Sequence, residues 1–338
     1  MRREDEDAVF GLRMAMWGAP NIEYVREGAR LDPRYLDRTF AAVGPDGTAL
    51  STVRYWLREV RDASGTPQQV GCVASVVTRE SARRQGHARR LMQMAIEAMR
   101  EEGCAWSLLF SSDMGVPLYL GLGYHALPGP YFSGVLSGRR PSPGDAYRME
   151  RIKPPFDFED ESWRAVREIY GAYNARRLLS LVRDDAYWRG HFARRIVSRT
   201  GTHSVALFMA RASGGEYAGY LLFDYVGGET ARRNAGLDEP LDQLITISEV
   251  GVMPGHEQAM PTMLSGMLDA AARGLVGASA RLPREGRVYQ AIGALFGPQV
   301  RTFDCQMMAL PLAEDTSHDD IAAIASAPGA VFWIADDF

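Results

Sequence analysis

The stretch from residue 69 to residue 103 constrains the fold more than any other part of the chain. Gln69 to Val77 is an almost continuous apolar run, fit for a central strand buried on both faces. The loop Thr78-Arg79-Glu80-Ser81-Ala82-Arg83-Arg84-Gln85-Gly86-His87 follows. Then Ala88, Leu91, Met92, Ala95, Ile96 and Met99 recur at helical spacing, with Arg89, Arg90, Gln93, Glu97 and Arg100 on the other face and Gly103 as the stop. A helix that starts in such a loop aims unsatisfied amides and its positive dipole end at whatever occupies it. Gly86 permits close backbone approach or a positive φ, and Ala88 leaves the surface open. Arg83 and Arg84 add formal charge, so a pyrophosphate is the natural ligand. The loop contains neither GxxxxGK[ST] nor GxGxxG, which argues against nucleotide hydrolysis and dinucleotide binding.

Composition narrows the class. A chain of 338 residues predicts about two domains, and 46% hydrophobic with 24% charged residues is the mixture of a soluble globular protein. The net charge of −4 excludes a bulk basic surface for nucleic acid. No apolar run reaches the roughly 18 residues of a membrane span. The acidic start Met1-Arg2-Arg3-Glu4-Asp5-Glu6-Asp7 is unlike a signal peptide, so a cytoplasmic location without membrane partners is the expectation. Cys72, Cys104 and Cys305 form no CxxC pair, and His87, His125, His191, His203, His256 and His318 show no ligand spacing; no metal is expected.

The remaining pattern is mixed. Helix from Ala8 to Arg30 is broken at Gly18-Ala19-Pro20-Asn21, and strands are expected at 39–43, 49–60 and 105–111. A short helix covers Val116 to Leu122, and Tyr124 to Leu127 is again a strand. Pro128 to Pro143, rich in glycine, proline and serine, reads as a connection. Further on come helices near 160–173, 184–197, 259–273 and 287–296, and strands near 204–210, 217–225, 244–252, 279–282 and 302–310. The two regions share an element order, which suggests a weak internal duplication; two unrelated α/β domains are the alternative. The fold class expected is α/β (α+β): two tandem domains, each a mixed, mostly antiparallel sheet flanked by helices, plus a short C-terminal tail. The limits are 1–140, 150–312 and 313–338.

Arg83-x-x-Gly86-x-Ala88 resembles the acyl-CoA pyrophosphate loop of the GNAT superfamily of N-acetyltransferases. A second segment, Pro117-Leu118-Tyr119-Leu120-Gly121-Leu122-Gly123-Tyr124, resembles that family's aromatic-x-x-x-Gly-Phe/Tyr segment. The resemblance implies acetyl-CoA as co-substrate, held by Val76, Val77, Thr78, Arg83, Arg84, Gln85, Gly86, His87, Ala88, Arg89 and Ser112. It implies Tyr119 as the acid that meets the departing thiolate, and a main-chain N–H of Val76 or Val77 as oxyanion donor. A core aromatic on a short helix is the bland account of Tyr119. Tyr173-Asn174-Ala175-Arg176-Arg177 and Asp185-Ala186-Tyr187-Trp188 are similar to the middle domain of the enhanced-intracellular-survival acetyltransferases. In that group a second, degenerate domain shapes the acceptor pocket, and Val252-Met253-Pro254-Gly255-His256-Glu257-Gln258-Ala259 here carries no arginine pair.

That group usually has a sterol-carrier-like third domain, for which Leu312 to Phe338 is too short. Its C-terminal carboxylate acts as base, which makes Phe338 the candidate; an ordinary final strand is the alternative. Trp188, Asp336 and Asp337 are further candidates to line a pocket for a cationic amine, and surface positions explain them equally well. The resemblance implies acetyl transfer to a primary amine of a small molecule, aminoglycoside- or polyamine-like, or of a peptide lysine. A homo-oligomer is what the group suggests, on a basis the missing third domain weakens. The alternative is a non-catalytic acyl-CoA sensor or scaffold.

Overall fold

The computed structural model describes residues 1–17, 21–127, 129–153, 156–194, 204–227, 243–270, 275–297, 301–304 and 307–337. Helices α1 (Glu6–Trp17) and α2 (Ile22–Arg30) precede strands β1 (Thr39–Val43), β2 (Ala49–Arg61) and β3 (Pro67–Thr78). Helix α3 (His87–Glu101), β4 (Trp106–Phe110), α4 (Val116–Leu120), β5 (His125–Ala126), β6 (Gly129–Val135) and β7 (Tyr147–Ile152) follow. The second half holds α5 (Glu161–Asn174), β8 (Leu181–Val182), a π-helical turn (Tyr187–Phe192), β9 (Ser204–Ala212), β10 (Tyr217–Gly227) and β11 (Gln243–Val252). It continues through α6 (Ala259–Ala270), β12 (Leu275–Arg281), α7 (Gly286–Gly293), β13 (Arg301–Asp304), β14 (Met307–Pro311) and α8 (His318–Ser326).

Two sheets result, with mostly antiparallel pairing and one parallel pair each. The first has the order β1-β2-β3-β4-β14-β5, with β8 added on β2; the second has the order β13-β6-β12-β11-β10-β9-β7. Helix α3 packs on the first sheet through the residues its period selects: Leu91, Met92, Ala95, Ile96 and Met99 are its buried set. Gly71 lies under Met99, so close that a β-carbon there would collide with the thioether.

The sheets exchange strands, and so do not respect the expected limits of 140 and 150. Gly129–Val135 lies between β13 and β12, with Phe132 and Ser133 buried. The segment read as a connection is therefore an inner strand of the second sheet. Its glycines and proline hide the strand signal, and the pairing of Ser133 with Ser279 and Arg301 supplies what composition does not. The run read as one strand over 302–310 is two: β13 joins the second sheet, and β14 slots between β4 and β5 of the first.

The C-terminal segment is docked rather than loose. Ser317 caps α8 in a capping box with Asp320, and Val331 donates its amide to Leu178 O at 3.0 Å. Trp333 is fully buried and its indole donates to Asn174 Oδ1 at 2.9 Å. A turn at Ile334–Asp336 then leads Asp336 and Asp337 to the cleft described next.

Candidate active site

Strands β3 and β4 pair in parallel only from Val70↔Trp106 to Cys72↔Leu108. Past that point β3 carries a bulge. Arg54 faces Ala74 and Thr52 faces Val77, so Ser75 and Val76 together oppose Val53. Ser75 has φ +57, the left-handed turn that a bulge of this kind uses. The strands splay, and the gap widens into a cleft of about 820 Å³. Val73, Ala74, Ser75 and Val76 line one wall, and Phe110, Ser112 and Tyr119 another.

Of the residues expected on this strand, Val76 alone lines the cleft. Val77 is buried in the small core beneath α1 and α2, and its carbonyl accepts from the Ser51 hydroxyl at 2.9 Å. The Thr78 hydroxyl is 2.9 Å from the same Ser51 oxygen. Past the bulge the Val77 side chain thus faces the core rather than the cleft.

The loop closes the outer end. A turn at Glu80–Ala82 leads to Arg84, at φ +63, and to Gly86, at φ +83, which stands at the N-terminus of α3 with no side-chain cap. Among the described residues the amides of Gln85 to Arg89 have no protein acceptor, while the Gly86 carbonyl already accepts from Arg90 at 3.1 Å. A β-carbon on Gly86 would meet no protein atom within 4 Å. The glycine is thus required by its φ, and the space over it is open. Arg83, Arg84 and Gln85 are exposed around it, with His87 and Ala88 half-buried. These features fit a diphosphate. Arg89 differs from expectation: its guanidinium donates to Gly121 O at 2.9 Å and ties the start of α3 to the end of α4.

Tyr119 stands on α4, whose first turn opens with Pro117, a residue suited to that position. The ring packs on Tyr124 and is 7% exposed, and burial pushes its pKa up to about 12. No protein group bonds its hydroxyl among the described residues, whereas the Tyr124 hydroxyl is taken by Ser107 at 2.8 Å. Tyr119 is therefore a permanent donor at the cleft wall, and Tyr124 is a core residue.

The second region forms the remaining wall through Tyr187, His191 and Arg194, with Asp336 and Asp337 of the tail. Asp336 Oδ1 accepts from Arg183 Nε at 2.9 Å and from the Tyr187 hydroxyl at 2.8 Å, while its Oδ2 has no partner. Arg183 also grips Glu249, and all three side chains are buried. Trp188 does not reach the cleft; it is buried against Arg183 and Phe192. Phe338 lies outside the described residues.

The corresponding turn of the second sheet offers no equivalent site. Strands β11 and β12 pair in parallel from Gln243 to Ile247, and Glu249 beyond them is held by Arg183. At the next turn the Glu257 carboxylate accepts from the Gly255 amide at 3.2 Å, a position where phosphate would be repelled. Among the described residues no three His, Cys, Asp or Glu side chains gather as a metal group, and no helix is long and apolar enough to cross a membrane.

Residues 1–127 match the family described as an acetyltransferase (GNAT) domain. No curated protein matches the sequence. Among solved structures, a GCN5-related N-acetyltransferase from Anabaena variabilis has a TM-score of 0.65 at 12% identity, over 92% of this chain and 71% of that one. Eis1 from Mycobacterium abscessus has a TM-score of 0.60 at 14% identity, over 92% and 72%. A tandem GNAT protein from the clavulanic acid biosynthesis pathway has 0.55 at 16%, over 93% and 97%. At these identities the likeness is one of fold. Residues 1–127 therefore carry an acetyltransferase (GNAT) domain, and the chain shares the fold of these structures. In fold the two-sheet architecture is similar to that of the tandem GNAT protein, with the matched domain first.

Proposed function

We propose that the chain transfers an acetyl group from acetyl-CoA directly to a primary amine bound between the two domains. The observation that carries this reading is the joining of three features in one cleft: the bulged, splayed end of β3, the open amide turn at Gly86 and the unpartnered phenol of Tyr119. Acetyl-CoA would supply an acyl group activated as a thioester. The amides of Gln85 to Arg89, with Arg83 and Arg84, bind its diphosphate. The Val76 N–H, at the bulge, is the main-chain donor for the developing oxyanion; losing one such donor typically costs about 3 kcal/mol.

Tyr119 has a narrower role than full proton donor. Burial pushes its pKa up to about 12, which makes full release of the proton harder. The phenol instead stabilises the departing thiolate by a hydrogen bond. Asp336, one of whose carboxylate oxygens has no hydrogen-bond partner, pairs with the acceptor's ammonium group, and the proton lost on acyl transfer passes to solvent water. The Phe338 carboxylate, which lies outside the described residues, stays the candidate base that the family resemblance implies.

The test is thiol release from acetyl-CoA with a panel of primary amines. Tyr119→Phe is expected to lower kcat by about 100-fold while thermal-shift binding of CoA is kept. Turnover unaffected by Tyr119→Phe would remove the phenol from the chemistry. CoA binding with no turnover of any amine would leave a sensor.

A further inference from the structure

The amine is only half of what this cleft recognises. Its lining also includes Arg13 on α1, Arg54 and Arg58 on β2, and Arg194 beyond the π-helical turn. Arg54, Trp56 and Arg58 share one face of β2 by alternation. Aromatic rings hold the guanidinium groups without neutralising them. Arg54 lies 3.5 Å over Trp56, Arg58 lies 5.0 Å from both Trp56 and Tyr187, and Arg194 lies 3.6 Å over Tyr24.

Carboxylates are scarce beside these arginines. Arg54 has Asp32 at 3.7 Å, but Asp32 is nearer to Arg38, at 2.9 Å. Among the described residues Arg13, Arg58 and Arg194 have no acidic partner within the 4.0 Å of an ion pair. Arg13 and Arg54 are 4% and 3% exposed, and the Nε–H groups of Arg13, Arg54 and Arg194 are buried with no acceptor. The imidazole of His191 between them is held neutral, first by burial and then by Arg58, Arg54 and Arg194. Buried guanidinium groups are costly unless paired, and orphaned donors are rare in native interiors. Here both occur on the wall of the acceptor cleft. An oxyanion in the cleft is the partner that offsets this charge, since a guanidinium fork receives one through two parallel hydrogen bonds.

We propose that the acceptor is an amine that also bears a carboxylate or phosphate, and that Arg13, Arg54, Arg58 and Arg194 bind this oxyanion while Asp336 faces the amine. The inference rests on the acetyltransferase reading for the word acceptor, and on the cleft alone for the oxyanion. Such a bipolar cleft disfavours aminoglycoside- and polyamine-like acceptors, whose additional ammonium groups would meet the arginines.

The experiment measures ligand-induced thermal shifts of the CoA-loaded protein with matched pairs. One arm sets amino acids against their amides; the other sets aminoalkyl phosphonates against the corresponding amino alcohols. The anionic member of a pair is expected to bind at least about tenfold more tightly. Arg54→Gln and the half-buried Arg58→Gln should each erase that preference and leave the CoA shift intact. Which arm responds more strongly separates carboxylate from phosphate. If amides, alcohols, spermidine or kanamycin bind as well as the anionic members, the proposal is overturned. A preference that survives both folded variants overturns it too, as does an absence of binding by every anionic member. Anionic binding without thiol release from acetyl-CoA supports the oxyanion site and sinks the transferase reading alone.

Discussion

Acidification offers the sharpest quantitative test of the cleft's electrostatics. His191 sits edge-on to Trp56 at 4.3 Å and stacks on Tyr187 at 5.5 Å, and its Nδ1 is 3.3 Å from Arg58 Nη2. Burial first, and then Arg58, Arg54 and Arg194, lower its pKa from 6.5 to about 2. In the unfolded chain the same ring titrates near 6.5. Between those values the unfolded state binds a proton that the native state refuses, so stability falls as the pH falls below 6.5. The loss from this one group is about 2 kcal/mol between pH 7 and pH 5, a sizeable share of a typical 5–15 kcal/mol. Urea denaturation of the wild-type chain and of His191→Gln at pH 7, 6 and 5 measures it. Glutamine accepts the Arg58 hydrogen bond without titrating, so the wild-type chain should lose about 2 kcal/mol more than the variant. Carboxylates and the other histidines are common to both proteins and cancel in the difference. Equal loss in the two would mean that His191 is protonated in the native cleft, and the positive field assigned to the arginines would be wrong.

Two further outcomes follow from the same geometry. Gly86→Glu puts a side chain at φ +83 and a carboxylate against the expected diphosphate, so it should abolish the CoA thermal shift, about 2.7 kcal/mol at a hundred times the dissociation constant; an intact shift would relocate the CoA site. Arg183→Met strands two buried carboxylates, Glu249 and Asp336, and should cost about 3–5 kcal/mol in urea denaturation, with Glu249→Gln added to it restoring part of the loss.

Much of the first domain was legible because its signals are local. The period of α3 named its buried residues, the glycine at its start marked a positive φ, and the hairpin turns set β1 and β2. Local signals also misled. Val77 lies beside Val76 yet belongs to the core, since a strand turns alternate side chains to opposite faces. Arg89 carries the right charge in the right loop, but Gly121 O claims its guanidinium.

The acceptor cleft could not be read from the chain. Asp336 was a candidate from the sequence, but Arg13, Arg54, Arg58 and Arg194 are spread over nearly two hundred positions, each a charged residue among many. No spacing links them, because their distances are set by two sheets that trade β6 and β14 and by a tail that returns to Arg183. The sequence by itself determined the strand–turn–helix unit and the tyrosine segment, since backbone amides and helical periodicity need only neighbouring residues. Tertiary structure decided which charges are buried without partners. That is a property of packing, because only a folded interior makes an unpaired arginine costly enough to demand a ligand.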